Sequence, residues 1–493
     1  MGEICPKTDL ENSSSVSAGP FQGPGKASFF EVTLEAEDSE NVETQMSLSR
    51  KWFVSMLVTL TAADITMTSS CWSLAQGDIR RRFHNMSEEV SVLGLSLYLL
   101  GMGCGPLLLS PLSELYGRKL TFIGSLSIST CFLFLTTWGR NIPALLIGRF
   151  LSGFFGSSFM SVAGGVISDI FSKNQIGIPM TIYTTATFLG PALGPVISGA
   201  LSGVSYRWTF VVMIIESGVY LILLLLMFKE TYKPVLLVTK ARRLRKETGD
   251  DRYFAPLEVI RRESSLIKSI GLSIGRPFSL LTRDPMMGVL CFYTGLILAI
   301  IYMFFVAFPY VFTTLYHFND VEVGITYLGI LVGIFLAAPT SLLFQKRYEQ
   351  KVLNNNGLQV PEFRFEPLFY GAFLAPMGLM IFAWTSYSHV YWIAPIIGTS
   401  VFGAGVFFIF TGVFGYTVDA FRLYTASAMA CNSFVRSMMG GTFPLFTLQM
   451  YRGMGINWAT FLLAMIAMTM IPVPFFFTKY GAYLRSKSPY AWD

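Results

Sequence analysis

Long apolar blocks separated by short polar connections dominate the chain. A block of about 20 apolar residues spans the hydrocarbon core of a bilayer as an α-helix. Twelve such blocks are present, near residues 52–75, 90–112, 120–138, 143–171, 179–201, 207–228, 287–315, 322–344, 367–385, 391–415, 424–449 and 456–479. The sequence therefore predicts an all-α membrane protein with twelve transmembrane helices.

Polar stretches divide the chain into segments. The first 51 residues contain SSSVS and the acidic run EAEDSE, and they lack the apolar core of a signal peptide. We expect residues 1–51 to form a disordered cytoplasmic tail. Two groups of six blocks follow, at 52–228 and 287–479. A central loop at 229–286 joins them, and a cytoplasmic C-terminal tail at 480–493 ends the chain.

The composition excludes an ordinary soluble protein, because 53% of the residues are hydrophobic and only 13% are charged, with a mean hydropathy of +0.54. The central loop has 13 basic and 7 acidic residues. Since Lys and Arg beside spans favour the cytoplasm, both termini are predicted to be cytoplasmic. The net charge of +6 then reflects orientation, and we expect no nucleic-acid partner.

The first external loop bears on this orientation in two ways. Arg80, Arg81 and Arg82 lie in it and oppose the prediction. The glycosylation sequon that begins at Asn85 fits it, because a sequon is used only on the lumenal side.

The two groups of blocks share weak sequence echoes. Asp169 precedes Pro195 by 26 residues, and Asp419 precedes Pro444 by 25. YGRKL follows the second block, and FQKRY follows the eighth. Together these echoes predict two six-helix bundles related by an axis along the membrane normal.

The fifth block contains GPALGP, in which Gly190 and Gly194 are followed by Pro191 and Pro195. Residues at i and i+4 share a helix face, and proline bends a membrane helix without abolishing it. In lipid, small residues let two backbones approach closely. We therefore expect a bent helix with a smooth face, on which a neighbour packs or slides.

GPALGP resembles the antiporter signature of the major facilitator superfamily. SPLSELYGRK, after the second block, resembles its loop motif through Glu114, Gly117, Arg118 and Lys119, although serine and leucine replace a usual glycine and arginine. RFLSGFFGS in the fourth block resembles the motif that starts with a membrane-embedded arginine, here Arg149. Three further segments are similar to the fungal twelve-span drug:proton antiporters, which include polyamine and multidrug exporters. These segments are YTVDAF, FVRSMMGGTFPLF and FFFTKYGAYLRSKSPYA.

This resemblance extends over residues 50–490 and implies a fold and a function. It implies the major facilitator fold, with alternating access to a site between the bundles. It further implies proton-driven export of drugs or of small amphipathic or cationic compounds. It assigns Arg149 to proton transfer, and Glu114, Arg118 and Lys119 to a gate on the cytoplasmic face.

Charged side chains inside a bilayer cost about 2.5–3.5 kcal/mol each and therefore need a role. Asp64, Glu216 and Arg436 fall near the middle of blocks one, six and eleven. The two acids are candidate proton carriers, because loss of water favours a neutral carboxyl group; otherwise each is a paired or lumen-facing acid. Arg436 could pair with one of them, repel cations or be structural. Arg149 could bind and release a carboxylate, or it could satisfy backbone carbonyls.

Two further acids lie near the cytoplasmic ends of blocks four and ten. Asp169 follows Arg149 by 20 residues, about 30 Å along a helix, so these two cannot pair. We interpret Asp169 as a gate partner of Arg118 or Lys119, and Asp419 as its counterpart in the second half. The alternative is an exposed acid at a helix end.

Aromatic and polar side chains are candidates to line a central cavity, where rings bind flat or cationic compounds loosely. These candidates are Tyr98, Tyr183, Phe188, Tyr293, Tyr302, Phe304 and Asn432. Because aromatic residues make up 15% of the chain, packing or lipid contact is the alternative for any one of them.

Other classes of function find little support. The sequence has no HExxH, GxSxG or P-loop motif, which argues against an enzyme or an ATP-driven pump. Its six cysteines form no CxxC pair and its three histidines fall in or beside short loops, so we expect no metal or cofactor. A nutrient importer on the same fold is the alternative function. We expect a monomer that moves protons and a small molecule, in the plasma membrane or alternatively the vacuolar membrane.

Overall fold

The structure is a computed structural model that describes residues 30–34, 38, 42–83, 86–172, 175–263, 266–421 and 424–490. Most of the predicted N-terminal tail and the sequon residue Asn85 lie outside these ranges.

Every predicted block in the first half coincides with helical structure. The fourth block is divided into three helices by Ser157 and Val162, next to a run of glycine and serine. The helices are α1 (Val42–Gln45), α2 (Leu48–Ser70), α3 (Trp72–Arg82), α4 (Glu88–Tyr116), α5 (Arg118–Trp138), α6 (Ile142–Gly156), α7 (Ser158–Ser161), α8 (Ala163–Ile170), α9 (Gly177–Leu201) and α10 (Tyr206–Met227).

The second half is built in the same way. Block eleven breaks at Phe443, because Pro444 has no N–H to continue the helical ladder. Its helices are α14 (Pro285–Tyr316), α15 (Asp320–Thr326), α16 (Leu328–Asn354), α17 (Glu366–Thr385), α18 (Ile393–Ala420), α19 (Thr425–Thr442), α20 (Pro444–Met454), α21 (Ile456–Met468) and α22 (Pro472–Lys487), with a 3₁₀ turn at Pro361–Phe365 before α17.

In the described part of the chain, ten helical segments are long and apolar enough to cross a membrane. The other two predicted spans, α9 and the α19–α20 pair, are helical but rich in glycine, proline, serine and threonine. Both are covered by protein, since α9 packs on α2 and α16, and α19 packs on α4 and α14. A helix that faces other helices needs less apolar surface than one that faces lipid, so these two complete the twelve.

The two bundles meet through two helix pairs. α4 of the first bundle packs on α19 of the second, and α9 packs on α15 and α16. Glycine permits the close approach of α9 to α15. A Cβ added at Gly199 would lie 2.5 Å from the carbonyl oxygen of Asp320, and one at Gly324 would lie 2.9 Å from that of Pro195.

The central loop is folded rather than extended. It contains α11 (Lys233–Thr248), α12 (Pro256–Glu263) and α13 (Leu266–Arg283). α13 packs on α4 and α19, so it touches both bundles. We call the side of the protein that carries this loop the loop face, and the opposite side the far face.

Part of the N-terminal tail is also folded, which corrects the expectation of disorder throughout residues 1–51. β1 (Phe30–Glu31) pairs in parallel with β2 (Tyr253–Phe254) of the central loop, a small exception to the all-α prediction. Val32 is buried in an apolar cluster with loop residues, and Lys240 forms an ion pair with Asp38 at 2.6 Å. α2 begins at Leu48, inside the predicted tail.

The C-terminal tail continues the last helix. α22 ends at Lys487, beyond the predicted boundary at residue 479. It is held by ion pairing of Arg485 with Glu362, and the Ser488 hydroxyl donates to Asp284 Oδ2 at 2.6 Å.

Candidate functional site

A pair of carboxyl groups lies between α2 and α10. Asp64 is 2% exposed, and its Oδ2 accepts a 2.6 Å hydrogen bond from the Ser217 hydroxyl. The carboxyl group of Glu216 lies within hydrogen-bonding range of Asp64. Asp64 Oδ1 and Glu216 Oε2 are buried and find no donor among the described residues. Two adjacent acceptors without a donor are satisfied if they share a proton, since two buried like charges repel.

Arg149 is fully buried and clamps two helices by their carbonyl groups. Its Nη1 and Nη2 donate to the carbonyls of Thr68 and Ser69 on α2, at 2.9 and 2.8 Å, and its Nε donates to Gly94 on α4 at 2.9 Å. The guanidinium also lies 4.3 Å from the ring centroid of Tyr98. Within the described residues it has no ion-pair partner, so the geometry here is that of carbonyl binding.

The end of α2 and the start of α3 contact the other bundle. The Ser69 hydroxyl of α2 lies 2.7 Å from the Tyr302 hydroxyl of α14, and the Ser73 hydroxyl of α3 donates to the carbonyl of Phe305. Asp64, the two carbonyls bound by Arg149, and these two serines all lie within ten residues at the junction of α2 and α3. This segment, residues 64–73, therefore links the carboxyl pair to the bundle interface.

Arg436 and Asn432 lie on α19, away from the carboxyl pair. Arg436 is 8% exposed beside the rings of Phe410 and Phe414, and the described chain gives it no ion pair. The Asn432 side-chain amide donates to the Thr294 hydroxyl at 2.8 Å. Pairing of Arg436 with a mid-span acid, one of the alternatives left open by the sequence, is therefore absent among the described residues.

The aromatic candidates divide between the bundle interface and the bundle cores. Tyr302 reaches across to Ser69, and Phe188 of α9 packs on Phe410 of α18 with ring centroids 4.6 Å apart. Tyr98 and Tyr183 donate instead to backbone carbonyls of their own bundle. Tyr293 and Phe304 are buried in the second bundle.

An ionic cluster closes the loop face of the first bundle. Arg118 Nε lies 3.3 Å from Asp169 Oδ2, as the gate interpretation expected of this pair. The backbone N–H groups of Arg118 and Lys119 both donate to Glu230, which thereby caps α5 and offsets its helix dipole. Gly117 has φ of +102°, and a Cβ there would clash with this carboxylate. Sequence reasoning missed Glu230, since nothing in the sequence links it to residues 112 positions earlier.

Two neighbours extend the first cluster. Glu114 interacts electrostatically with Arg118 and with Arg276 of α13, so the predicted gate includes the central loop. The ring of Tyr232 lies 4.5 Å from the Arg118 guanidinium, and burial raises the pKa of its hydroxyl. The Tyr232 hydroxyl therefore stays protonated, and a neutral ring faces the Arg118 guanidinium.

The second bundle has an equivalent cluster with a different basic partner. Asp419 Oδ2 accepts from Arg364 Nε and from the Tyr348 hydroxyl, both at 2.8 Å. Arg364 precedes α17 as Arg118 begins α5, so each carboxylate pairs at the start of the third span of its bundle. Sequence reasoning placed Asp419 as the counterpart of Asp169 but did not identify Arg364.

A bidentate ion pair joins the bundles on the far face. Arg452 of α20 donates to both carboxylate oxygens of Glu88 at 2.6 and 2.9 Å. Glu88 also begins α4 and receives Arg80 at 3.4 Å. No feature of the sequence indicated this pair, whose members are 364 residues apart.

Replacing Arg118 or Arg364 with alanine is expected to destabilise the protein by a similar amount. Each change removes a charge-assisted contact from a partly buried carboxylate, worth about 1.5–3 kcal/mol. Thermal unfolding of the purified variants measures it. Arg252→Ala removes an exposed pair with Asp250 and should lower the melting temperature less than either of these changes. Equal losses in all three variants would show that the two clusters are ordinary surface pairs.

The GPALGP segment lies directly on α2. A Cβ added at Gly190 would lie 2.5 Å from the carbonyl oxygen of Ala63, and one at Gly194 would lie 2.5 Å from that of Met67. α9 remains helical through Pro191 and Pro195. The glycines thus bring α9 against the α2 segment that carries Asp64 and the Arg149 contacts.

Comparison with known proteins agrees with this architecture. The model of the Major Facilitator Superfamily matches residues 52–444. The chain belongs to this superfamily. The superfamily assignment confirms the fold of twelve helices in two bundles and places the chain among transporters rather than enzymes.

Superfamily members in fungi are similar over nearly the whole chain. The "Probable drug/proton antiporter YHK8" of Saccharomyces cerevisiae is 59% identical over 489 residues, covering 99% of this chain and 94% of the relative. The "Major facilitator superfamily multidrug transporter mdrA" of Aspergillus fumigatus is 37% identical over 474 residues, covering 96% and 78%. The resemblance to fungal drug:proton antiporters is confirmed.

Solved superfamily structures share the fold at low identity. The proton:xylose symporter XylE has a TM-score of 0.62 and 15% identity, covering 88% of this chain and 96% of its own. A POT peptide transporter in complex with alafosfalin has a TM-score of 0.65 and 12% identity, covering 93% and 100%.

Proposed function

We propose that the protein is a proton-coupled exporter of small amphipathic compounds, working as a monomer in the plasma membrane by alternating access. Relatives whose names include drug/proton antiporter and multidrug transporter support this class of function. The basic central loop supports a cytoplasmic loop face, which makes the far face external.

The observation that carries the proposal is the segment 64–73, at the end of α2 and the start of α3. It bears Asp64 of the carboxyl pair at one end and the Ser69 and Ser73 contacts with α14 at the other. Arg149 binds its backbone in between. A change at the carboxyl pair therefore acts on the same segment that contacts the second bundle.

The proposed cycle uses this connection. With a proton shared between Asp64 and Glu216, α2 and α10 pack as in this structure. Loss of that proton leaves two adjacent negative charges, whose repulsion shifts α2 against α10. The shift changes the contacts of Ser69 and Ser73 with α14 and so favours one orientation of the bundles over the other. A proton that enters from the acidic exterior and leaves to the cytoplasm drives the cycle towards export.

The far-face pair is the proposed external gate. Glu88 and Arg452 belong to different bundles, so an outward-open state must break their bidentate contact. The Arg118–Asp169 and Arg364–Asp419 pairs each stay within one bundle, so they keep the bundle ends rigid while the bundles rock.

Export in proteoliposomes with an imposed pH gradient tests the proposal. We expect acid on the far face to accelerate export and an uncoupler to abolish the acceleration. Asp64→Asn should remove the gradient dependence, because the amide cannot exchange the shared proton, and Glu216→Gln should do the same. Asp78→Asn, at an ion pair with the exposed Arg81, is the matched control and should behave as wild type.

The result that contradicts the proposal is equally specific. Export that proceeds at one rate with and without the gradient, in protein that still binds substrate, excludes proton coupling. Concentrative uptake driven by the same gradient would instead support a nutrient importer.

A further inference from the structure

The guanidinium of Arg436 lies in the predicted eleventh span, where helices of both bundles converge. It belongs to α19, and its flanking rings, Phe410 and Phe414, belong to α18, with centroids 5.5 and 5.4 Å away. Its electrostatic neighbours include the hydroxyls of Tyr183 on α9 and Tyr302 on α14. The first bundle and the second therefore both contribute walls around this charge.

This charge lacks the partners that the other buried arginines have. Arg149 donates to three carbonyls, and Arg485 pairs with Glu362. Arg436 is 8% exposed, its Nε has no hydrogen-bond partner, and it has no ion pair within the described residues. A buried cation without a counter-charge is unfavourable in a membrane interior, so such a group points to a ligand that supplies the negative charge.

The polar groups around Arg436 already donate to other protein atoms, so the guanidinium is the donor that remains for a ligand. The Asn432 amide, one turn earlier on α19, donates to Thr294, and its buried Oδ1 receives no hydrogen bond from the residues that the structure describes. The Tyr183 hydroxyl donates to carbonyls of Phe159 and Met160, and the Tyr302 hydroxyl is bonded to Ser69.

The mid-span carboxylates cannot serve as a cation site at this position. Asp64 and Glu216 lie between α2 and α10, where Ser217 and the shared contact occupy them. Aromatic rings surround Arg436, and none of the carboxylates in the described ranges pairs with its charge.

We propose that Arg436 is the substrate-binding residue of the central site and selects amphipathic compounds that carry a carboxylate beside an aromatic or apolar body. This inference rests on the proposed function and narrows its substrate class. A carboxylate accepts two parallel hydrogen bonds from a guanidinium, and the phenylalanine rings pack on the apolar body. The positive charge repels the cationic compounds that the sequence had led us to include.

Three probes with one aromatic body test the selection: naphthylacetate, naphthylacetamide and naphthylethylammonium. Their binding to purified protein is measured by tryptophan fluorescence at neutral pH without a gradient. We expect wild type to bind naphthylacetate at least about tenfold more tightly than the amide, and the ammonium most weakly. Arg436→Gln should bind the acid and the amide equally.

A second variant keeps the test decisive if Arg436→Gln does not fold. Asn432→Asp places a carboxylate four residues before Arg436 on the same helix face, where it occupies the guanidinium from within the protein. It should abolish the preference for naphthylacetate while Arg436 stays in place. Arg140→Gln, at an exposed position, is the matched control and should keep the wild-type preference.

Three results would overturn the inference: tighter binding of the ammonium than of the acid, an unchanged preference in both α19 variants, or full displacement of naphthylacetate by an equal concentration of chloride. The last would identify a site for inorganic anions. The assay needs no proton gradient, so a failure of proton coupling leaves its outcome intact. Conversely, gradient-driven export of all three probes at equal rates would overturn this selection and leave the exporter function standing.

Discussion

Arg149→Ala is expected to reduce transport to background and to lower the melting temperature of the purified protein markedly. The change removes three charge-assisted hydrogen bonds, each worth about 1.5–3 kcal/mol, from the carbonyls of Thr68, Ser69 and Gly94. Two of these carbonyls belong to the segment of α2 that links the carboxyl pair to the bundle interface. Loss of the clamp therefore uncouples the proton site from the bundles as well as weakening the fold.

Arg149→Lys separates charge from geometry. A lysine ammonium retains the positive charge but lacks the planar fork that reaches carbonyls on two helices. We expect it to transport poorly, and Arg140→Ala, at an exposed position, to transport normally. Wild-type export by the lysine variant would mean that the charge alone acts, as a proton-transfer role requires, and that the carbonyl clamp is incidental. Export assays and thermal unfolding on the same preparations distinguish these outcomes.

Twelve spans could be predicted because lipid imposes a length and an apolar character on each helix that faces it. α10 is the clearest case, with much of its surface turned outward. α9 and α19 are less apolar because other helices cover them, and their glycines and prolines gave the better signal. The folded part of the tail could not be predicted, because β1 is only two residues long and depends on β2, more than 200 residues later.

The sequence was enough to predict which charged residues belong to the candidate site, but not which residues they contact. A charge inside an apolar block is visible in the sequence, so Asp64, Glu216, Arg149 and Arg436 were all found. Their partners depend on how the helices pack. The contact of Asp64 with Glu216 and the isolation of Arg436 follow from which faces α2, α10 and α19 turn towards their neighbours.

Gly190→Ala and Gly194→Ala are expected to impair transport severely, through packing rather than chemistry. Each added methyl group would lie 2.5 Å from a carbonyl oxygen of α2 and 2.1 Å from the hydroxyl oxygen of Thr66 or Ser70. Since backbone cannot yield as a side chain can, α9 must move away from α2, at a cost of about 1–3 kcal/mol for each site. That movement displaces residues 64–73 of α2 and α3 and, through Gly199, the contact of α9 with α15.

Gly218→Ala provides the matched control, because an added Cβ at this α10 position meets no described atom within 4 Å. The three variants add the same methyl group to transmembrane helices, so any difference reports the helix contact alone. Export and thermal unfolding should be unchanged in Gly218→Ala and reduced in the α9 variants, most strongly in the double variant. Normal export by the double variant would mean that α9 and α2 need not touch during the cycle, and the proposed transmission through α2 would then lose its structural basis.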